Sequence, residues 1–150
     1  MNSDLVEQFQ TLQEFVVTAR ERLTDHPWNY IVGGTETETA QRRNRQALDS
    51  LALRPRVLND VSQVDCSARL CGVDARLPVV LCPIGGLESF DADGALSVAR
   101  AAESFGVPMM LSSVSKWPLE QVHGASHGEL NLIYQLYLSL IHISEPTRPY

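Results

Sequence analysis

The sequence predicts an α/β fold built on a parallel βαβ unit, and three stretches carry that expectation. Residues 77–86 read Leu-Pro-Val-Val-Leu-Cys-Pro-Ile-Gly-Gly. The apolar run 79–82, bounded by Pro78 and Pro83, is too short for a buried helix and reads as a strand buried on both faces. Helical periodicity follows over 91–105, Gly106 closes it, and a second apolar run occupies 107–111. In such a unit ligands bind at the carboxyl ends of the strands. The functional edge is therefore expected at 83–86 and 112–115.

Composition narrows the class. The chain has 150 residues, 44% hydrophobic and 20% charged, which suffices for one domain with a core. A net charge of −6 argues against nucleic acid and anionic membrane partners. Arg42, Arg43 and Arg45 lie among acids in a polar stretch and read as a solvated helix face. No apolar run reaches the roughly 20 residues of a membrane span, and no secretion signal opens the chain, so a cytoplasmic protein is expected. Cys66, Cys71 and Cys82 match no zinc spacing and read as small buried hydrophobes, with no metal site expected.

Taken in order, Leu5, Phe9, Leu12, Val16, Ala19 and Leu23 recur at steps of three and four, as in a helix with one apolar stripe. Ser3 caps it in this reading, Asp4 and Glu7 suit its first turn, and Pro27 lies just past its end. Residues 28–34 form a turn with two aromatics. Thr35 and Glu38 have capping-box spacing for a second helix reaching Asp49, with Ala40, Ala47 and Leu48 on its thin apolar side. Tyr30 reads either as an interface aromatic with a buried ring and a wet hydroxyl, or as a site residue. Residues 51–57 and 61–70 look extended, and 72–74 can turn a short hairpin. In the 91–105 helix, Ala95, Val98, Ala99 and Ala102 make a narrow stripe suited to packing on a sheet. Ser112 and Ser113, at the end of the second strand, supply either turn chemistry or hydroxyls aimed at a ligand. Pro118 can open a short helix over 119–122. Residues 130–137 read as a third strand, where Gln135 and Tyr137 share a face. A polar pair there needs partners.

The residues with this organisation resemble a known family. The resemblance runs through 30–45 (Gly-Gly-Thr-Glu-Thr-Glu, then Arg-Arg-Asn-Arg), the Arg-Pro-Arg-Val-Leu stretch within 53–65, 78–86, 93–102, 111–113, and Gln135-Leu136-Tyr137. Together they resemble the FMN-dependent α-hydroxy acid dehydrogenases and oxidases, such as glycolate oxidase, lactate oxidase and mandelate dehydrogenase. That resemblance implies the N-terminal part of a (β/α)₈ TIM barrel preceded by a helical segment and truncated after about the third strand. It implies FMN as cofactor and a small 2-hydroxy acid as substrate, oxidised to a 2-oxo acid. It also implies a full-length parent that is a homo-oligomer.

Position by position, the resemblance assigns Tyr30 and Tyr137 to the substrate. It assigns Pro83, Ile84 and Gly85 to the loop along the flavin ring, Ser112 to a flavin contact and Gln135 to the pyrimidine edge. Such a ring needs close backbone approach, and an amide can both donate to and accept from its edge. The sequence departs from glycolate-type members at Cys82, Ile84, Val114 and the pair Asp91-Ala92, which leaves the substrate open. The family's catalytic histidine, arginines, lysine and phosphate-binding glycines fall beyond the chain, so no catalytic residue is expected within it; His123 and His127 read as loop residues. Residues 139–150 have no family counterpart and look like translated sequencing-adapter read-through, which divides the chain at 1–138 and 139–150. Two alternatives stand beside this reading. One is another FMN- or phosphate-binding barrel of the isopentenyl diphosphate isomerase or inosine monophosphate dehydrogenase type, against which Tyr30 and 135–137 speak. The other is a non-catalytic flavin-binding protein.

Overall fold

The computed structural model describes residues 8–126 and 130–137. Leu5, the Ser3 cap, Asp4, Glu7, His127 and the segment 139–150 lie outside the described residues. The chain divides into two units, residues 2–64 and 65–150 with Met1.

In the first unit the expected opening helix is interrupted. Helix α1 spans Leu12–Arg22, and the Glu14 carboxylate takes the backbone N–H of Thr11 (3.1 Å) and Gln10 (2.6 Å) at its start. That carboxylate is a better N-terminal partner than a continued helix would offer, so the turn before Thr11 departs from helical geometry. Phe9 folds back to stack on Phe15, with ring centroids 4.1 Å apart. Residues 28–32 prove helical rather than a turn. Helix α2, Asp25–Val32, carries Asp25, His26 and Pro27 in its first turn, where proline is tolerated because its missing N–H would have no helical partner. Helix α3 spans Thr39–Asp49. The Thr35–Glu38 spacing forms a turn ahead of it instead of a capping box: the Glu38 N–H donates to the Thr35 carbonyl, and its carboxylate takes the Gly34 N–H at 3.2 Å. Arg42, Arg43 and Arg45 are exposed as expected, with Arg45 paired to Asp49 four residues on. Leu48, expected on an apolar side, is exposed too.

The second unit holds the sheet. Strands β1, Ala68–Leu70, and β2, Val73–Ala75, pair antiparallel. Their turn is Cys71–Gly72, one residue earlier than the spacing suggested, because both residues adopt positive φ and so match the twist of a two-residue hairpin. The extended stretch before it forms no strand before Ala68. Within it Asp60 and Asp65 cap the N–H groups of Ser62 and Ser67, which holds both carboxyls below the usual range.

Leu81 pairs in parallel with Met109 of strand β3, Met109–Ser112, and β3 pairs in parallel with strand β4, Leu132–Gln135. Helix α4, Ala95–Phe105, connects the first pair, and helix α5, Leu119–Ala125, connects the second. The N–H of Leu81 donates to Pro108 and that of Met110 donates back to Leu81. Ala95, Ala99 and Ala102 of α4 are buried with Val107, Met109, Leu111, Val122 and Leu130. Small side chains let α4 lie close on β3, as its stripe predicted. Gly106 ends α4 at φ +82°, a conformation that costs glycine little. The run 79–82 differs from expectation: Val79 and Cys82 are exposed, and pairing there is one bridge rather than a strand buried on both faces. Among the described residues Leu81 has a strand neighbour on one side only. Cys66 and Cys71 are exposed as well, which overturns the reading of buried thiols. His123 lies in the last turn of α5, not in a loop.

The start of α4 depends on Asp91, whose carboxylate accepts from the Ser97 hydroxyl (3.0 Å) and from the N–H groups of Asp93 and Gly94. Chiefly through Ser97, these bonds hold its pKa below the ordinary aspartate value of 3.8. A group lowered on folding stabilises fully above its unfolded pKa and loses that contribution as the pH falls through its folded one. Asp91→Ala should therefore lower the thermal midpoint by a few degrees at pH 7. The difference should close progressively as the pH is taken below about 3.8, followed by circular dichroism.

Candidate functional site

Because Leu81, β3 and β4 run parallel, their carboxyl ends open onto one edge of the sheet. Three segments emerge there: the loop 82–86, the turn 112–115 and residues 135–137. The register makes Ser112 and Gln135 direct partners, so on a pleated sheet their side chains share a face. That face is opposite the one that Met109 and Leu111 bury with α4, since side chains alternate along β3.

Ser112 is only 2% exposed. Its hydroxyl accepts the Val114 N–H at 3.3 Å, and its carbonyl accepts the Ser115 N–H at 3.0 Å, so it builds the turn that follows β3. A hydroxyl that accepts still has a proton to donate. Gln135 is half-buried, and its Oε1 is wholly buried with no hydrogen bond among the described residues. An amide oxygen left so costs about 1–3 kcal/mol unless a ligand meets it.

Gly85 lies beside Ser112. A Cβ at this position would stand 3.7 Å from the Ser112 hydroxyl and would overlap the Cγ2 of Val114. The loop thus passes close to the end of β3 because residue 85 has no side chain. Pro83 is half-buried and Ile84 exposed, on the same loop. Farther along, the Lys116 N–H donates to Glu88 Oε1 at 3.2 Å, which ties the loop after Leu81 to the turn after β3. Nothing in the sequence singles out Glu88, because its partner lies 28 residues away. Tyr137 is 58% exposed, and its N–H donates to the Ser113 hydroxyl at 3.0 Å. Tyr30 belongs to the other unit, on α2, where it is 75% exposed. Its ring is therefore not buried within that unit.

The arrangement offers an open sheet edge lined by close backbone, one hydroxyl and one buried amide acceptor. These are features for holding a flat heteroaromatic cofactor at the open end of a parallel βα array. Residues 19–142 match the FMN-dependent dehydrogenase family, and the chain belongs to that family. It is 42% identical over 120 residues to an L-lactate dehydrogenase of Allorhizobium ampelinum, covering 80% of this chain and 31% of that protein. It is 43% identical over 113 residues to an L-lactate dehydrogenase of Caulobacter vibrioides, covering 75% of this chain and 30% of that one. Among solved structures, a mandelate oxidase with 3,3-difluoro-2-hydroxy-3-phenylpropionic acid superposes with a TM-score of 0.80 at 30% identity, over 86% of this chain and 38% of that one. An (S)-mandelate dehydrogenase variant gives 0.77 at 30% identity, over 83% and 35%. The chain thus spans under a third of the curated relatives' length, and its fold is part of a TIM barrel whose closed ring is not formed by the described residues. No helix among the described residues is long and apolar enough to cross a membrane.

If the Gly85–Val114 approach sets the loop, Gly85→Ala should destabilise the folded chain. Val114 is β-branched and must turn or shift to admit the methyl, at about 1–2 kcal/mol for such overpacking. Adding Val114→Ala should restore most of the loss. Thermal denaturation of the single and double variants measures both.

Proposed function

We propose that this chain is part of an FMN-dependent oxidoreductase that converts a 2-hydroxy acid to a 2-oxo acid, and that its own contribution is one side of the flavin site and part of the substrate site. The observation that carries the reading is the buried, unpartnered Oε1 of Gln135 beside Ser112. An acceptor in that position suits a ring N–H of the pyrimidine portion of FMN. The amide nitrogen of Gln135 can donate to a ring carbonyl, and the Ser112 hydroxyl supplies a second donor. Pro83, Ile84 and Gly85 would lie along the ring, with Gly85 keeping the backbone close. FMN, when bound, supplies the acceptor for the electron pair lost by the substrate carbon. Tyr137 would hold the substrate through its hydroxyl, the role that the family resemblance gives to Tyr30 as well. The relatives are named for lactate and the solved structures for mandelate. A small 2-hydroxy acid is therefore the proposed substrate class, with Val114 at the open edge one position that can distinguish a small side chain from a large one.

The test uses the whole flavoenzyme carrying this segment. Gln135→Leu should weaken FMN affinity roughly 5- to 150-fold, the effect of losing about 1–3 kcal/mol at a buried polar contact. Tyr137→Phe and Tyr30→Phe should each lower kcat/KM roughly 10- to 150-fold with flavin content unchanged, because each removes a hydrogen bond to a charged group worth about 1.5–3 kcal/mol. Flavin absorbance after gel filtration and steady-state kinetics on L-lactate and (S)-mandelate give both readouts. A Gln135→Leu enzyme that holds FMN as tightly as the parent would refute the assignment of that side chain. Unchanged kinetics for Tyr30→Phe would remove Tyr30 from the site.

A further inference from the structure

We infer that Ser113 is a positioning residue for the substrate side of this site: its hydroxyl fixes the backbone at Tyr137 and so sets where the tyrosine ring can reach. The inference rests on the proposed function and extends it to a residue to which the family resemblance gives no role.

The parallel ladder ends at the pair Ser112 and Gln135, where the Ser113 N–H donates to the Gln135 carbonyl at 3.1 Å. One residue later β4 has left the ladder. The Tyr137 N–H is then taken by the Ser113 side chain at 3.0 Å, across 24 residues of sequence. A single serine thus brackets Leu136, holding the residue before it through its backbone and the residue after it through its hydroxyl.

Packing does not do this work. Leu136 and Tyr137 are 63% and 58% exposed, so few neighbours restrain them. Local turn chemistry does not explain the hydroxyl either. The turn after β3 is made by Ser112, whose hydroxyl accepts from Val114 and whose carbonyl accepts from Ser115. Ser113 Oγ is left for the long-range bond. Two adjacent serines therefore divide the labour: Ser112 shapes the turn at the cofactor edge, and Ser113 pins the strand exit that carries Tyr137.

Without the hydroxyl, the Tyr137 N–H has only water, and residues 136–137 gain freedom that substrate binding must then remove. The cost should fall on substrate affinity, while Gln135, held inside the ladder, keeps its place.

The experiment uses the whole flavoenzyme carrying this segment, with L-lactate and (S)-mandelate as probes. For Ser113→Ala the expected result is a fall in kcat/KM of about 3- to 15-fold, chiefly through KM, with flavin content and visible spectrum unchanged. Ser113→Thr, which keeps an acceptor, should recover activity to within about twofold of the parent. Tyr137→Phe should cost less in the Ser113→Ala background than in the parent, because the two act through one group. Unaltered kcat/KM for Ser113→Ala overturns the inference. So does strict additivity with Tyr137→Phe, or loss of flavin in step with activity, which marks a purely structural residue. A parent enzyme that holds FMN but oxidises neither acid overturns the proposed function, and this inference with it.

Discussion

The parallel register of β3 on β4 is the constraint on which the candidate site depends. Pairing Ser112 with Gln135 puts a hydroxyl and an amide side by side at the carboxyl edge of the sheet. A slip of one residue would turn Gln135 to the opposite face and bring Leu136 into its place. The register is held from the other face. Leu132 of β4 pairs with Met109 and packs against the core of α4, β3 and α5, and a slip of β4 would turn that apolar group toward the open face. The core on one face thereby fixes the polar pair on the other.

Around that pair, the edge is assembled from backbone contacts more than from side-chain packing. Gly85 approaches Val114 and Ser112, Glu88 takes the Lys116 N–H, and Ser113 takes the Tyr137 N–H. Each bond joins segments that are distant in sequence, and none requires a bulky side chain at the edge itself. A flat ligand asks for such a surface: close backbone leaves room for a ring, and a few fixed donors and acceptors orient it. Asp91 serves the same end from farther back by securing the start of α4, which follows the loop 82–86.

The unit of residues 2–64 has a different character. Its described helices are capped and paired locally, by Glu14 at α1 and by Arg45 with Asp49 in α3, yet none of α1, α2 and α3 buries a residue fully. Leu53, Val57 and Leu58 are almost entirely exposed in the stretch that follows. Exposed apolar groups of this kind contribute little to stability until covered. Most of the burial in the described chain lies in α4, β3 and α5, and the second unit accordingly supplies the framework for the site.

What the sequence determined by itself was set by short-range periodicity or by a single residue's chemistry. The apolar run 107–111 that leads into β3, the alanine stripe of α4, the Gly106 stop, and the helix after Pro118 were all legible, because each depends on neighbours within one or two turns. The candidate residues Gly85, Ser112 and Gln135 were legible through the family resemblance. Tertiary structure decided the rest. The helical form of 28–32, the break before Thr11, and the hairpin turn at Cys71–Gly72 depended on which backbone group found the better partner. The burial of 79–82 failed because a strand is buried on both faces only when other elements cover both. Above all, the pairing of Ser112 with Gln135 and the link from Ser113 to Tyr137 join residues 23 and 24 apart. Contacts of that range are set by how helices and strands pack, and local spacing carries no record of them.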